Sequence, residues 1–272
     1  MQKKPLVSIL IASYNKAKYV KRCINSCLNQ TYNNIEIIFY DDGSKDNSHG
    51  IAKGIKGIRV FRNNNRKNLG KFNTYYQINS YNKAFSKSKG KYVLLLDSDD
   101  FFKKNKVKEI VKYFNTNPKS NIIFDLPIYY YSKEKQFYVK NIENKKYLKK
   151  DIWPRFPIAG SCISFERKFY KKFSNLINNK SFSMLTLDFR LAVISNTILN
   201  DFKLLNKNLT FYFQDRKGES QTKFKKFSKH WWSRRKQAHS FMKMVNKKSK
   251  ISFTTKSDYL ATNLINKIYN FI

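Results

Sequence analysis

Two acidic clusters carry most of the chemistry in this chain. Asp97-Ser98-Asp99-Asp100 directly follows the apolar run Tyr92-Val93-Leu94-Leu95-Leu96. Two carboxylates one residue apart at the end of a strand can hold a hard divalent ion, Mg²⁺ or Mn²⁺, which also bridges the oxygens of a diphosphate and neutralises charge building there. The same residues have a plainer use, since Asp99 or Asp100 can cap the helix that follows. Asp41-Asp42-Gly43-Ser44-Lys45-Asp46 closes a second apolar run, Ile35 to Tyr40. A carboxylate only accepts hydrogen bonds, which suits a nucleobase N–H or a ribose hydroxyl. Capping is again the competing use.

The elements that must position these clusters alternate in type. Leu6 to Ala12 reads as a buried strand, and Val20, Ile24, Cys27 and Leu28 repeat at helical spacing after Ala17. Ile35 to Tyr40 is a second strand and Ile58 to Phe61 a third. The polar loop Asn63 to Asn68 leads to a helix over Phe72 to Lys87, closed by Gly90. Tyr92 to Leu96 is the fourth strand, and a helix over Asn105 to Asn115 stops before Pro118. Strands alternating with helices predict an α/β fold with a mostly parallel sheet flanked by helices. Ligands bind such sheets outside the carboxyl ends of the strands. Ser13-Tyr14-Asn15, Asp41-Asp42 and Asp97 to Asp100 all fall at those ends, so three loops converge on one crevice.

The second half is less regular. Ile122 to Tyr131 reads as strand or loop interrupted by Pro127, and Trp153-Pro154-Arg155-Phe156-Pro157 as a rigid turn before Gly160-Ser161-Cys162. Helical patterns resume near Arg167 and over Leu187 to Ile198. The expected division is residues 1–220 as one domain, with a ligand-binding half to 125 and an acceptor half to 220, followed by a basic, aromatic, helical extension over 221–272. In that extension Phe224, Phe227, Trp231, Ala238, Phe241 and Val245 sit among Lys225, Lys226, Lys229, Arg234, Arg235, Lys236 and Lys243. A basic amphipathic helix can lie on an anionic membrane or pack its aromatic face on the domain. His230 and His239 read as surface or helix-packing side chains, since no matching ligand set is visible.

Composition sets limits. The 272 residues hold 55 Lys plus Arg against 18 Asp plus Glu, a net charge of +37. Such a field favours anionic partners, although heavy use of Lys, Asn, Ile, Phe and Tyr through codon bias produces it too. No helix-turn-helix, zinc-finger or RNP pattern is present, so nucleic acid is not an expected partner. Cys23, Cys27 and Cys162 lack disulfide or metal spacing and read as buried thiols of a reducing compartment. No apolar run approaches the roughly 18 residues of a membrane span, and the run after Lys3-Lys4 is too short for a secretory leader. The expected location is the cytoplasm, with peripheral contact on the inner face of the membrane. A nucleotidyltransferase is excluded by the lack of a glycine-rich phosphate loop after the first strand.

The ordered series Val7-Ser8-Ile9-Leu10, Ser13-Tyr14-Asn15, Gln30-Thr31-Tyr32, Asp41-Asp42-Gly43-Ser44-x-Asp46, Asn68-x-Gly70, Asn82, Gly90-Lys91-Tyr92 and Asp97-Ser98-Asp99-Asp100 resembles family 2 glycosyltransferases of the GT-A fold. The resemblance is close over residues 5–115 and weak to about 220. It implies inverting transfer from a nucleotide-sugar donor to a glycan or lipid-linked acceptor, with Mg²⁺ or Mn²⁺, in bacterial cell-surface polysaccharide or lipopolysaccharide synthesis. It assigns Ser13, Tyr14, Asn15, Asp42, Asn82, Asp97 and Ser98 to the donor and Asp99 to the metal. Where the family often has Arg-Asn this chain has Tyr81-Asn82, which leaves Lys71 as a replacement cation. The family's base is a carboxylate at the start of a late helix, matched here by Asp188. Asp125, Asp201 and Asp215 are weaker matches. Trp153, Arg155, Gly160 and Ser161 fall where the acceptor site forms, and Gln214-Asp215-Arg216 where a late loop closes over the donor. A relative that binds sugar nucleotide without transferring it is the alternative.

Overall fold

The computed structural model describes residues 4–66, 72–131, 136–139, 159–199, 203–214, 224–246 and 256–271. Strands β1 (Val7–Ser13), β2 (Ile35–Asp41), β3 (Arg59–Arg62) and β4 (Tyr92–Asp97) alternate with helices α1 (Ala17–Leu28), α2 (Ser48–Lys53) and α3 (Asn73–Lys87). β5 (Phe101–Phe102), α4 (Lys106–Thr116), β6 (Ile122–Tyr131), β7 (Gln136–Val139), β8 (Ile163–Glu166), α5 (Arg167–Ile177), α6 (Leu187–Thr197) and β9 (Leu204–Gln214) follow. Two helices, α7 (Lys229–Asn246) and α8 (Lys256–Phe271), come after them.

The sheet runs β3-β2-β1-β4-β8-β6-β9-β5, with β7 paired to β6. β3, β2, β1 and β4 are parallel, whereas β8 runs antiparallel to both β4 and β6. The expected sheet is therefore correct through β4 and becomes mixed beyond it. β6 is one continuous strand. It absorbs Pro127 because its register against β9 shifts on either side of Leu126, which removes the need for a ladder N–H at the proline.

The inner strands are apolar at most positions because both faces are covered. Leu10, Ile38, Tyr40, Val93 and Leu95 face α3, α5, α6 and α7. Val7, Ile9, Ile11, Phe39, Leu94 and Leu96 face α1 and α4 on the other side. Ala238, Phe241, Met242 and Val245 of α7 belong to the first of these cores. The apolar face of this helix is thus spent on the domain and not on a membrane, and residues 229–246 do not stand apart from it. His239 is buried against the Tyr259 ring, and the His230 ring meets Phe72, as helix-packing histidines do. Cys23, Cys27 and Cys162 are buried free thiols.

Candidate active site

β1 carries the first loop. Its last residue, Ser13, is buried, and its hydroxyl oxygen has no hydrogen-bond partner among the described residues. Tyr14 lies beneath Arg66, with the guanidinium carbon 3.6 Å from the ring centroid and 4.3 Å from that of Tyr76. Asn15 takes a positive φ of 52°, a conformation asparagine tolerates better than most residues. There its side-chain oxygen accepts from Lys45 N–H at 2.8 Å and its own N–H donates to Ser44 Oγ. Asn15 therefore clamps the first loop to the second through its side-chain oxygen and backbone N–H.

At the end of β2 the two aspartates divide their labour. Asp41 is fully buried and accepts from the N–H and hydroxyl of Ser44, forming the turn. Gly43 permits that turn with φ +76°, where an added Cβ would lie 2.9 Å from Asn63 O. Asp42 receives Asn63 Nδ2 and Arg66 Nε, each at 2.9 Å. Asp42, Arg66, Tyr14 and Tyr76 thus form one connected group at the ends of β1 and β2. Arg66 is absent from the sequence reading, and Lys71 lies outside the described residues.

At the end of β4 the three aspartates have three environments. Asp97 Oδ1 accepts from Tyr81 OH and from Gln77 Nε2, both at 2.7 Å. Burial and the neighbouring Asp99 charge push its carboxyl up to about 6. Asp99 is partly exposed and receives Lys16 Nζ at 2.5 Å. Asp100 is buried, accepting from Phe213 N–H at 2.7 Å and from the Ser161 hydroxyl. It ties the turn to β9 and caps no helix. Ser98 is buried within the turn, its N–H donating to Ala12 O at 3.1 Å.

Two further expected site residues are held by side-chain hydrogen bonds. Asn82 donates to Asn178 and accepts from Tyr170 OH, so it joins α3 to α5 while its neighbour Tyr81 reaches Asp97. The helical repeat explains this, since Gln77 and Tyr81 share one face at a spacing of four and Asn82 is turned away by about 100°. Ser161 is fully buried; its hydroxyl accepts from Asp97 N–H at 2.9 Å while donating to Asp100. It positions the aspartates, leaving Gly160 beside Asp97, where an added Cβ would stand 3.5 Å from Oδ2. Beneath this loop, Lys106 Nζ donates to Ser161 O at 2.7 Å and pairs with Asp125 at 2.7 Å, both side chains wholly excluded from solvent. Asp125 is thereby a structural ion-pair partner. Trp153, Arg155, Asp201, Asp215 and Arg216 lie outside the described residues.

Asp188 occupies the first turn of α6, where the helix dipole favours an anion. Its oxygen accepts from Phe189 N–H at 2.8 Å, and burial raises its carboxyl above the usual range, opposed in part by the Arg234 charge from α7. Its charge adds a little to the upward push that burial gives the Asp97 carboxyl and the Tyr212 hydroxyl. Arg190 fixes the approach: fully buried, it donates to the carbonyls of Ile177, Asn179, Phe182 and Leu185. Gln237 of α7 accepts from Met184 N–H at 2.9 Å.

The model of glycosyl transferase family 2 matches residues 8–175, more than half of the chain. The chain belongs to glycosyl transferase family 2. Among curated family 2 relatives, it is 34% identical over 131 residues to the UDP-Glc:alpha-D-GlcNAc-diphosphoundecaprenol beta-1,3-glucosyltransferase WfaP of Escherichia coli, covering 47% of this chain and 48% of that protein. Across such relatives the chain spans about a third to a half of their length. The fold is similar to that of S. aureus TarS 1–349 in complex with UDP-GlcNAc, at a TM-score of 0.62 and 14% identity over 96% of this chain and 70% of that one. It is also similar to the mannosyltransferase PcManGT of Pyrobaculum calidifontis in complex with GDP-Man and Mn²⁺, at 0.57 and 13%, over 96% of this chain and 70% of that one.

The residues fit a divalent ion of the Mg²⁺ or Mn²⁺ type. Asp97 and Asp99 are hard oxygen donors one residue apart, with Asp97 Oδ2 beside Gly160 and Asp99 partly exposed. Among the described residues no set of three His, Cys, Asp or Glu side chains forms a cage. Oxygens of a bound diphosphate would have to complete the shell.

Proposed function

We propose that this family 2 member transfers a sugar from a nucleoside-diphosphate sugar to a hydroxyl of a glycan or lipid-linked acceptor, with inversion, in bacterial cell-surface polysaccharide or lipopolysaccharide synthesis. The observation that carries the reading is the meeting of three strand-end loops: Asp42 N–H donates to Ser13 O at 2.8 Å, Ser98 N–H donates to Ala12 O at 3.1 Å, and Lys16 Nζ reaches Asp99. Tyr14, Asp42 and Arg66 hold the nucleoside, and the unpartnered Ser13 hydroxyl faces the same ligand. Asp97, fixed by Tyr81 and Gln77, takes a ribose hydroxyl. Asp99, with Asp97 beside it, would hold a divalent ion, which would supply charge stabilisation at the diphosphate.

Asp188 accepts the proton of the acceptor hydroxyl as that oxygen attacks the anomeric carbon and the bond to the diphosphate breaks. Its raised carboxyl is better matched to this task than an exposed aspartate, because a base works best with a pKa nearer the working pH. Gly160 leaves space beside Asp97 for the acceptor. The WfaP relative, whose name specifies a diphosphoundecaprenol acceptor, supports a lipid-linked substrate.

The test is thermal unfolding with UDP-, GDP-, dTDP- and CMP-sugars, each with and without Mn²⁺. A ligand at a hundredfold excess over its Kd adds about 2.7 kcal/mol to stability, so one nucleotide class should raise Tm in a metal-dependent way. Asp188→Asn should keep that shift and lose sugar transfer. A folded protein that responds to none of the four, or an Asp188→Asn variant with unchanged turnover, would overturn the reading.

A further inference from the structure

Among the described residues, five large apolar side chains are exposed: Leu28, Phe227, Leu260, Leu264 and Ile268. Four of them occupy one region. Leu260, Leu264 and Ile268 are 63%, 61% and 50% exposed, and their spacing of four sets them in a row about 12 Å long on one side of α8. The opposite side of α8 is spent on α7. Tyr259 packs against His239, Asn266 donates to Trp232 O at 3.0 Å, and Thr262 is buried. Beyond Ile268 the row continues onto the turn before α7, because Tyr269 OH donates to Phe227 O at 3.3 Å. Phe227 is 57% exposed at a φ of +67°, a conformation that is strained for a bulky side chain.

The surroundings of this row are almost purely cationic. Residues 224–272 contain twelve Lys and Arg and one acid, Asp258, which is already engaged by Arg235 and His239. Lys225, Lys226, Lys229 and Lys267 are exposed around the apolar row, and Lys226 Nζ lies 4.8 Å from the Phe227 ring centroid. A second copy of the chain is a poor occupant, since an isologous contact would bring these lysines against their own images in two bodies of net charge +37. A surface that is apolar below and anionic above matches both features.

We propose that α8 and the Phe227 turn form a membrane-docking face that inserts Leu260, Leu264, Ile268 and Phe227 among anionic lipid headgroups. The attraction combines buried apolar area with headgroup charge, each insufficient alone. The face also adjoins the crevice: Phe224, three residues from Phe227, stacks on Phe72 immediately before α3, and α7 carries Arg234 toward Asp188. Docking therefore presents the crevice to an acceptor held at the same surface. The docking itself does not rest on the acceptor proposed above.

Co-sedimentation of the full chain with phosphatidylcholine vesicles, with and without phosphatidylglycerol, tests this directly. The chain should bind the anionic vesicles and release as salt rises, with little binding to neutral ones. A Leu260→Ser/Leu264→Ser/Ile268→Ser variant should lose about tenfold or more of that binding. Lys225→Gln/Lys226→Gln should weaken it at low salt. Both variants should keep the Tm and the nucleotide-sugar response of the unaltered chain, which separates failure of docking from failure of the proposed transfer. Undiminished binding by the triple variant, equal binding to neutral vesicles, or binding to neither would refute the proposal. So would a dimer in light scattering that becomes a monomer in the triple variant, because the row would then belong to a second copy.

Discussion

Lys106→Met should damage both the fold and the crevice, and its cost can be worked from the surroundings. Lys106 and Asp125 are each 0% exposed and paired at 2.7 Å, and the same amine donates to Ser161 O and to Thr210 Oγ1 at 2.6 Å. Removing the amine strands a buried carboxylate, a loss of about 3–5 kcal/mol, against total stabilities of roughly 5–15 kcal/mol. In a chain of this length that lowers Tm by roughly 10 °C. The deficit should shrink on acidification. Burial already holds the Asp125 carboxyl above its usual range, and loss of Lys106 raises it further. A carboxyl whose folded pKa exceeds its unfolded value opposes folding above that folded pKa, and protonation relieves the penalty as pH falls through it. Urea unfolding of wild type, Lys106→Met and Lys106→Met/Asp125→Leu at pH 7.5 and pH 5.5 measures each quantity. The double variant should recover most of the loss, since an apolar pair of similar volume replaces the ions. A single-variant loss under about 1 kcal/mol, or a double variant no more stable than the single, would refute the reasoning.

Two further outcomes follow from the crevice and its frame. Lys16→Gln removes the amine held by Asp99, so Mn²⁺ binding measured by titration calorimetry without donor should strengthen, whereas Asp99→Asn should abolish it; unchanged affinity in both variants would place the ion elsewhere. Gly90→Ala sets a Cβ 2.5 Å from Ser8 N at the start of β1, where backbone must move, so it should cost about 1–3 kcal/mol in urea unfolding, and a neutral result would show that the β1–β4 contact yields.

The ligand-facing half of the chain was legible in its sequence because its signals are local. An apolar run such as Tyr92 to Leu96 declares a strand, Gly90 and Pro118 mark helix ends, and the aspartates sit at strand ends by covalent connection. Those facts placed Asp42, Asp97 and Asp99 on one edge of a parallel sheet, and the helical start at Leu187 placed Asp188 in a first turn. Which aspartate faces a ligand was not legible. Asp41 and Asp42 are adjacent and chemically identical, yet Ser44 consumes one and Arg66 meets the other. Asp97, Asp99 and Asp100 likewise differ through partners such as Tyr81, Lys16 and Ser161, which lie 16, 83 and 61 residues away in sequence.

The sequence by itself determined the element order over about the first 115 residues, the strand-end location of the acids, the buried thiols and a basic extension with an aromatic face. Tertiary structure decided the roles within that frame. It turned Asn82 toward α5 and gave Asp97 to Tyr81. It buried Lys106 under Ser161, and it sank the α7 face into the core while leaving the α8 row in the open. The physical reason is the range of the interactions. Periodicity and turn chemistry act over a few residues and are written in composition and spacing. Charge pairing, desolvation and the choice of which amphipathic face meets the core depend on neighbours that only the folded sheet brings together.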